Sequence, residues 1–216
     1  MMNGLLFITH RTERYSYLQS VEIALQGGCR RIQLRMKDAS PEEVEQTGRQ
    51  ALTLCAHYGA ELYIDDYVDV CKNLGATGVH LGKTDMSPSL ARRTLGGHFI
   101  IGGTANAFED IARLYAEEVD YIGLGPFRFT RTKKNLSPVL GLAGYRDLLA
   151  QCRQAAIHLP VVAIGGVTIA DIPDLMRTGV AGVAMSSAIL SADDPVAQTQ
   201  RIIATIRNSE IGKALP

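Results

Sequence analysis

At 216 residues, with 46% hydrophobic and 20% charged residues, the chain has the composition of one globular domain, not of a disordered, collagen-like or membrane protein. Lys plus Arg and Asp plus Glu balance at 22 each, and no basic stripe runs along the sequence, so neither nucleic acid nor a membrane is an expected partner. The longest apolar runs, VVAI (161–164) and HFII (98–101), fall far short of the ~20 residues a bilayer crossing needs. The first residues lack the basic segment of a secretory signal, and a cytoplasmic location is expected. Four scattered cysteines (Cys29, Cys55, Cys71, Cys152) form no CxxC pair and read as reduced packing residues.

Short apolar runs alternate with longer segments of helical period, the pattern of repeated strand-helix units and a parallel sheet. Strands are predicted over residues 4–9, 31–35, 61–65, 78–81, 99–103, 120–125, 161–166 and 182–186. Helices are predicted between and after them, over 15–27, 41–58, 67–74, 87–95, 107–117, 140–155, 170–178 and 194–208. Ser40-Pro41-Glu42-Glu43 reads as an N-cap, a proline in the first turn and acids at the positive helix end. Gly27-Gly28, Gly59, Gly75 and Gly179 stand where left-handed C-caps are expected. Eight such units close into an α/β fold, a single (β/α)8 TIM barrel spanning residues 1–216, because closure removes both sheet edges. An open doubly wound sheet ranks below it, since no GxGxxG turn follows the first strand.

Barrel enzymes build their sites on strand C-termini. The second strand ends in Gln33, Arg35 and Lys37, alternate positions that share one side of an extended chain. The third ends in Asp65-Asp66 and the fourth leads to Asp85, and carboxylates after adjacent strands can converge on one hard cation such as Mg2+. Small residues from Gly102 to Asn106 follow the fifth strand, leaving room for a ligand against the backbone. After the sixth comes GPFRFTRTKKN (125–135), whose Thr130, Thr132 and Lys133 offer donors to a phosphate or diphosphate. Gly165-Gly166 and Ser186-Ser187 end the seventh and eighth strands, where many barrels hold a phosphate.

The strings QLRMK (33–37), IDD (64–66), VHLGKTD (79–85), YIGLGPFRFTRTK (121–133), AIGGV (163–167) and AMSSAI (184–189) together resemble the thiamine phosphate synthase family over nearly the whole chain. The resemblance implies a Mg2+-dependent transferase that joins a hydroxymethylpyrimidine diphosphate to a hydroxyethylthiazole phosphate. Two small phosphorylated heterocycles would then be its substrates. It implies that Gln33, Arg35, Lys37, Asp65, Thr104 and Lys133 bind the pyrimidine diphosphate, with Arg35, Lys37 and Lys133 stabilising the departing diphosphate. It places the metal on Asp66 and Asp85, and the thiazole phosphate on Thr130, Arg131, Thr132, Gly166, Ser186 and Ser187. No residue pattern fixes the oligomeric state, a homodimer among the options.

Four positions depart from the family pattern. Asp65-Asp66-Tyr67 stands where Asn-Asp-Arg is usual, Lys83 replaces a glutamine and is read as a cation that offsets Asp65, and where Ser-x-His is usual Thr104 keeps the hydroxyl but Asn106 replaces the histidine. These departures define two alternatives: a thiazole tautomerase-like paralogue, or a non-catalytic protein that binds thiamine or thiazole phosphates. The synthase reading ranks first, because Asn106 cannot serve as a tautomerase base and both Asp85 and the Thr130–Lys133 segment are present.

Overall fold

The computed structural model describes residues 3–129 and 138–211. Eight parallel strands form a closed barrel in chain order. They are β1 (Gly4–Ile8), β2 (Arg31–Leu34), β3 (Glu61–Asp65), β4 (Gly78–Leu81), β5 (Ile100–Ala105), β6 (Tyr121–Leu124), β7 (Val161–Ile164) and β8 (Gly182–Met185). Around them pack α1 (Tyr17–Gln26), α2 (Pro41–His57), α3 (Val68–Leu74), α4 (Pro88–Leu95), α5 (Phe108–Ala116), α6 (Gly141–Gln154), α7 (Ile172–Thr178) and α9 (Pro195–Ile211). Each predicted strand and helix is present, most with ends moved by one to three residues. One element was not predicted, the single turn α8 (Ser187–Leu190) directly after β8. Four apolar or small residues are too few to show helical period, so the sequence carries no signal for it.

The helix boundaries follow their local chemistry. Ser16 and Ser40 close capping boxes over α1 and α2, and Pro41 and Pro88 open α2 and α4 where no N–H is needed. Gly28, Gly59, Gly75 and Gly179 take positive φ as expected, whereas Gly27 stays right-handed at φ −72°. At Gly27 the requirement is space: a Cβ would lie 2.4 Å from that of Thr199 on α9.

Strand register decides what faces inward. Ile8 pairs with Gln33, Gln33 with Tyr63, Tyr63 with Gly78, Gly78 with Ile100, and His80 with Gly102. Gly102 then pairs with Tyr121, Gly123 with Val162, Val162 with Gly182, and Leu6 with Ala184. Since side chains alternate between the faces of a strand, this set forms the interior stripe of the barrel. Leu6, Ile8, Tyr63, Tyr121, Val162 and Ala184 form a compact interior cluster accordingly. The other set (Phe7, Ile32, Leu62, Ile64, Val79, Ile101, Ile122, Val183) packs under the helices in the larger core. Each such aliphatic or aromatic side chain contributes about 1.5–3 kcal/mol on burial. Glycines admit the interior tyrosines: a Cβ on Gly102 would lie 2.1 Å from Cζ of Tyr121.

The two barrel ends differ in kind. At the N-terminal end Arg31 pairs with Glu61 at 3.2 Å, and the Tyr63 hydroxyl donates to Glu61 at 2.9 Å, which plugs the floor. The same inward stripe continued past the C-terminal ends delivers His10, Arg35, Asp65, Gly82, Thr104, Gly125 and Ser186 to the mouth. Among the described residues no helix is long and apolar enough to cross a membrane. All four cysteines are free and buried, as expected.

Candidate active site

A cavity of about 170 Å3 opens at that mouth. Its wall takes residues from all eight strand ends: Thr9 and His10 from β1, Gln33, Arg35 and Lys37 from β2, Asp65 and Asp66 from β3, and His80 and Gly82 from β4. Thr104 follows from β5, Gly125 and Pro126 from β6, and Gly165 and Gly166 from β7, with Ser186 and Ser187 completing it after β8. Of the residues predicted for the site, Gln33, Arg35, Lys37, Asp65, Asp66, Thr104, Gly166, Ser186 and Ser187 line this one cavity. Asp85 is not in its wall but joins it through Asp66. Thr130, Arg131, Thr132 and Lys133 lie outside the described residues.

On one side of the cavity acids and bases interlock. Thr9 holds the end of β2 twice, accepting from Arg35 N at 2.8 Å and donating to Arg35 O at 3.1 Å. The guanidinium thus held puts Nε 3.4 Å from Asp65, which also accepts from Gln33 Nε2 at 2.5 Å. Lys37 Nζ lies 2.8 Å from Asp66 and 3.8 Å from Asp65. Burial pushes Asp65 up to about 7, with Asp66 adding to the rise and Arg35 and Lys37 opposing it. Burial acts against the Lys37 ammonium, but the two aspartates outweigh it and hold its pKa above the usual value.

Asp66 has the geometry of a functional residue. Its φ of 68° is left-handed without glycine, a strain fixed by its N–H donating to His80 O at 2.9 Å. Burial alone would raise its pKa, yet hydrogen bonds from Asp85 and Lys37 hold it below the ordinary carboxylate range. Asp85 moves the other way, raised by burial and by its hydrogen bond to Asp66. The two carboxyls are thus coupled, Asp66 favoured in its charged form and Asp85 shifted toward its neutral one, while Asp85 also accepts from Gly82 N at 2.6 Å. Two acids that repel each other when both are charged are a suitable pair for a divalent cation. Among the described residues no group of three or more His, Cys, Asp and Glu side chains could hold a metal. Two acids alone fit Mg2+, which completes its shell with water and phosphate oxygens, better than a fully protein-ligated zinc.

The opposite side is backbone and hydroxyl. Gly165 and Gly166 have φ of 88° and 70°. Cβ atoms there would lie 2.7 Å from Pro126 Cβ and 2.9 Å from Arg128 O, so both positions need glycine twice over. Ser186 Oγ is buried without a hydrogen-bond partner among the described residues, as is His10 Nδ1. A hydroxyl lining a cavity with nothing to bind is an open place for a ligand oxygen.

One expectation needs correction, and several residues had no predicted part. Lys83 does not offset Asp65; it pairs with Asp110 at the start of α5 at 2.6 Å, which leaves Arg35 and Lys37 to balance Asp65. His10 also lines the cavity, its Nδ1 without a hydrogen-bond partner among the described residues. Burial, then Arg35, lowers its pKa. Asn106, noted as a lost base, is a clamp: Nδ2 donates at 2.9 Å to both Gly125 O and Pro138 O, tying the two stems of the segment that carries Thr130–Lys133. Arg128 braces the same segment, donating to Gly166 O at 3.0 Å and to both Asp171 oxygens at 2.8 Å. That bond holds Asp171 down at about 2. Partners this distant along the chain leave no mark in local sequence patterns.

A closed barrel with cations, paired acids and glycine-lined backbone gathered at the strand C-termini places the protein among the (β/α)8 enzymes that work at that face. The thiamine monophosphate synthase family model matches residues 5–189, and the chain belongs to that family. It is 59% identical to the thiamine-phosphate synthase of Bacteroides fragilis over 202 residues, covering 94% of this chain and 99% of that one. It is 41% identical to that of Flavobacterium psychrophilum over 195 residues, covering 90% and 95%. Among solved structures, thiamine phosphate pyrophosphorylase from Pyrococcus furiosus superposes with a TM-score of 0.84 at 31% identity, covering 95% and 96%.

Proposed function

We propose that the protein is a thiamine-phosphate synthase, a transferase that joins the pyrimidine methylene of a hydroxymethylpyrimidine diphosphate to the ring nitrogen of a hydroxyethylthiazole phosphate. The observation that carries this reading is the single cavity shared by Gln33, Arg35, Lys37, Asp65 and Asp66 on one wall and Gly166, Ser186 and Ser187 on the other. One wall suits a diphosphate and the other a monophosphate, and the heterocycles meet between them.

In the reaction the C–O bond to diphosphate breaks with its electron pair leaving on oxygen, and the thiazole nitrogen supplies the pair for the new C–N bond. The amino-pyrimidine delocalises the positive charge on the methylene, so the main task is to stabilise charge on the leaving group. Arg35 and Lys37 are pre-placed for this by Thr9, Asp65 and Asp66, and no nucleophilic side chain is needed. Lys133 is assigned the same task from sequence. A Mg2+ ion held by Asp66 and Asp85 would neutralise diphosphate oxygens. Gln33 orients the pyrimidine, its amide fixed by Asp65, and Thr104 adds a hydroxyl. The Gly166 backbone and the Ser186 and Ser187 hydroxyls hold the thiazole phosphate, with Thr130, Arg131 and Thr132 assigned there from sequence. Holding both substrates by their phosphates makes the attack effectively unimolecular.

Incubation with both substrates and Mg2+ tests the assignment by product. Thiamine phosphate supports it; isomerised thiazole alone indicates a tautomerase, and tight binding without turnover a non-catalytic binder. Asp85→Ala is expected to lower turnover by about a hundredfold, on the scale of losing one stabilising contact to the leaving group. It should also raise the Mg2+ concentration needed for half-maximal rate. An unchanged rate and an unchanged Mg2+ dependence would remove Asp85 from the site.

A further inference from the structure

The reaction as described uses Thr104 but gives no task to the buried pair beneath it, His80 and Tyr121. The Tyr121 side chain is fully buried in the barrel interior, and its hydroxyl has one hydrogen-bond partner among the described residues, His80 Nδ1 at 3.0 Å. Burial keeps the phenol protonated, raising its pKa well above the usual value. The proton needs an acceptor, because a buried O–H facing another N–H would be left unsatisfied. Nδ1 must therefore present its lone pair, which excludes both the Nδ1–H tautomer and the imidazolium.

The remaining ring proton then sits on Nε2, 2.9 Å from Thr104 Oγ1. Nε2–H donates, Thr104 accepts, and the threonine's own proton must turn elsewhere. Among the described residues it has no other partner, and its side chain lines the cavity. Glycines fix the two rings: a Cβ on Gly123 would lie 2.9 Å from His80 Cε1, and one on Gly102 2.5 Å from the Tyr121 hydroxyl.

We propose that Tyr121 is a positioning residue which, by selecting one tautomer of His80, turns the Thr104 hydroxyl into a hydrogen-bond donor aimed into the cavity. That position then recognises an acceptor atom on the ligand, an unprotonated ring nitrogen or a phosphate oxygen of the pyrimidine diphosphate. Naming the ligand rests on the synthase reading; the direction of the hydrogen-bond chain does not.

Two measurements test it separately. In protein labelled with 15N-histidine, long-range 1H–15N spectra report the tautomer of each of the five histidines. The His80 signal, identified by its loss in His80→Asn, is expected to show protonated Nε2 and bare Nδ1, and to become a mixture in Tyr121→Phe. Protonation at Nδ1, or at both nitrogens, overturns the proposal whatever the protein's activity. In turnover assays Thr104→Val and Tyr121→Phe should each lower kcat/KM for the pyrimidine diphosphate about tenfold, the scale of one hydrogen bond. Thr104→Ser, which keeps a hydroxyl, should lose less than Thr104→Val, and KM for the thiazole phosphate should not move. The double variant should be no worse than Thr104→Val alone, since the tyrosine acts only through that hydroxyl. Losses that multiply would show that Tyr121 acts on structure generally and would overturn the relay. A wild-type protein that makes no thiamine phosphate would refute the synthase reading, while the His80 tautomer would still decide the chain.

Discussion

Arg35→Met is expected to lower kcat by roughly 100- to 1,000-fold, the range measured when one pre-organised group stabilising developing charge is removed. Methionine keeps the length and apolar stem of the side chain but removes the guanidinium, and the effect should fall on turnover more than on folding. Two features make Arg35 the base with the largest expected effect. Thr9 fixes its backbone from both sides, and its Nε lies 3.4 Å from the buried Asp65, so its position is set before substrate arrives. Its loss also leaves Asp65 with less compensation for burial, which raises its pKa further and favours the neutral acid, so the charge that helps to hold Lys37 weakens as well. Steady-state kinetics with the pyrimidine diphosphate varied check this. A kcat within threefold of wild type would show that charge on the leaving group is stabilised elsewhere.

Gly166→Ala should act on the other substrate. Its φ of 70° costs an alanine about 1–2 kcal/mol, and the new Cβ would lie 2.9 Å from Arg128 O and 3.0 Å from Phe129 O. Backbone must then move, and the part that moves is the stem that Arg128 fastens to Gly166 O and Asp171. KM for the thiazole phosphate is expected to rise about tenfold or more, with a smaller change for the pyrimidine diphosphate, because the displaced backbone belongs to one wall only. Equal changes in both KM values would mean that the two walls do not divide the substrates as proposed.

The barrel was legible because its grammar is local. Apolar runs such as those of β3 and β7 end in polar or glycine residues, and serine caps and prolines mark where α2 and α4 begin. Alternation also placed Gln33, Arg35 and Lys37 on one side before any partner was known, and all three line the cavity. What stayed hidden depends on pairs far apart in the chain. Nothing near Lys83 reveals that Asp110 rather than Asp65 takes its charge. Asn106 looked like the absence of a histidine, and its role appears only when Gly125 O and Pro138 O are within reach of one amide. Tyr121 reads as an ordinary strand residue until register sets it over Gly102 and under His80, 41 residues away.

The departure at Asp65 also takes on physical meaning. A carboxylate at that place adds negative charge to a diphosphate wall, yet it accepts from Gln33 and lies within ion-pair reach of Arg35 and Lys37. The side chain thus helps to order the three groups that the diphosphate and pyrimidine are to meet. Its net effect on the field is offset by the bases it holds.

A crystal structure with the pyrimidine diphosphate and Mg2+ bound bears most directly on the shared mouth. Diphosphate density against Arg35 and Lys37, with the metal between Asp66 and Asp85 and the pyrimidine turned toward the Gly166 and Ser186 wall, is the predicted result. Diphosphate held on the Gly166 and Ser186 wall, or metal bound away from both aspartates, would contradict it.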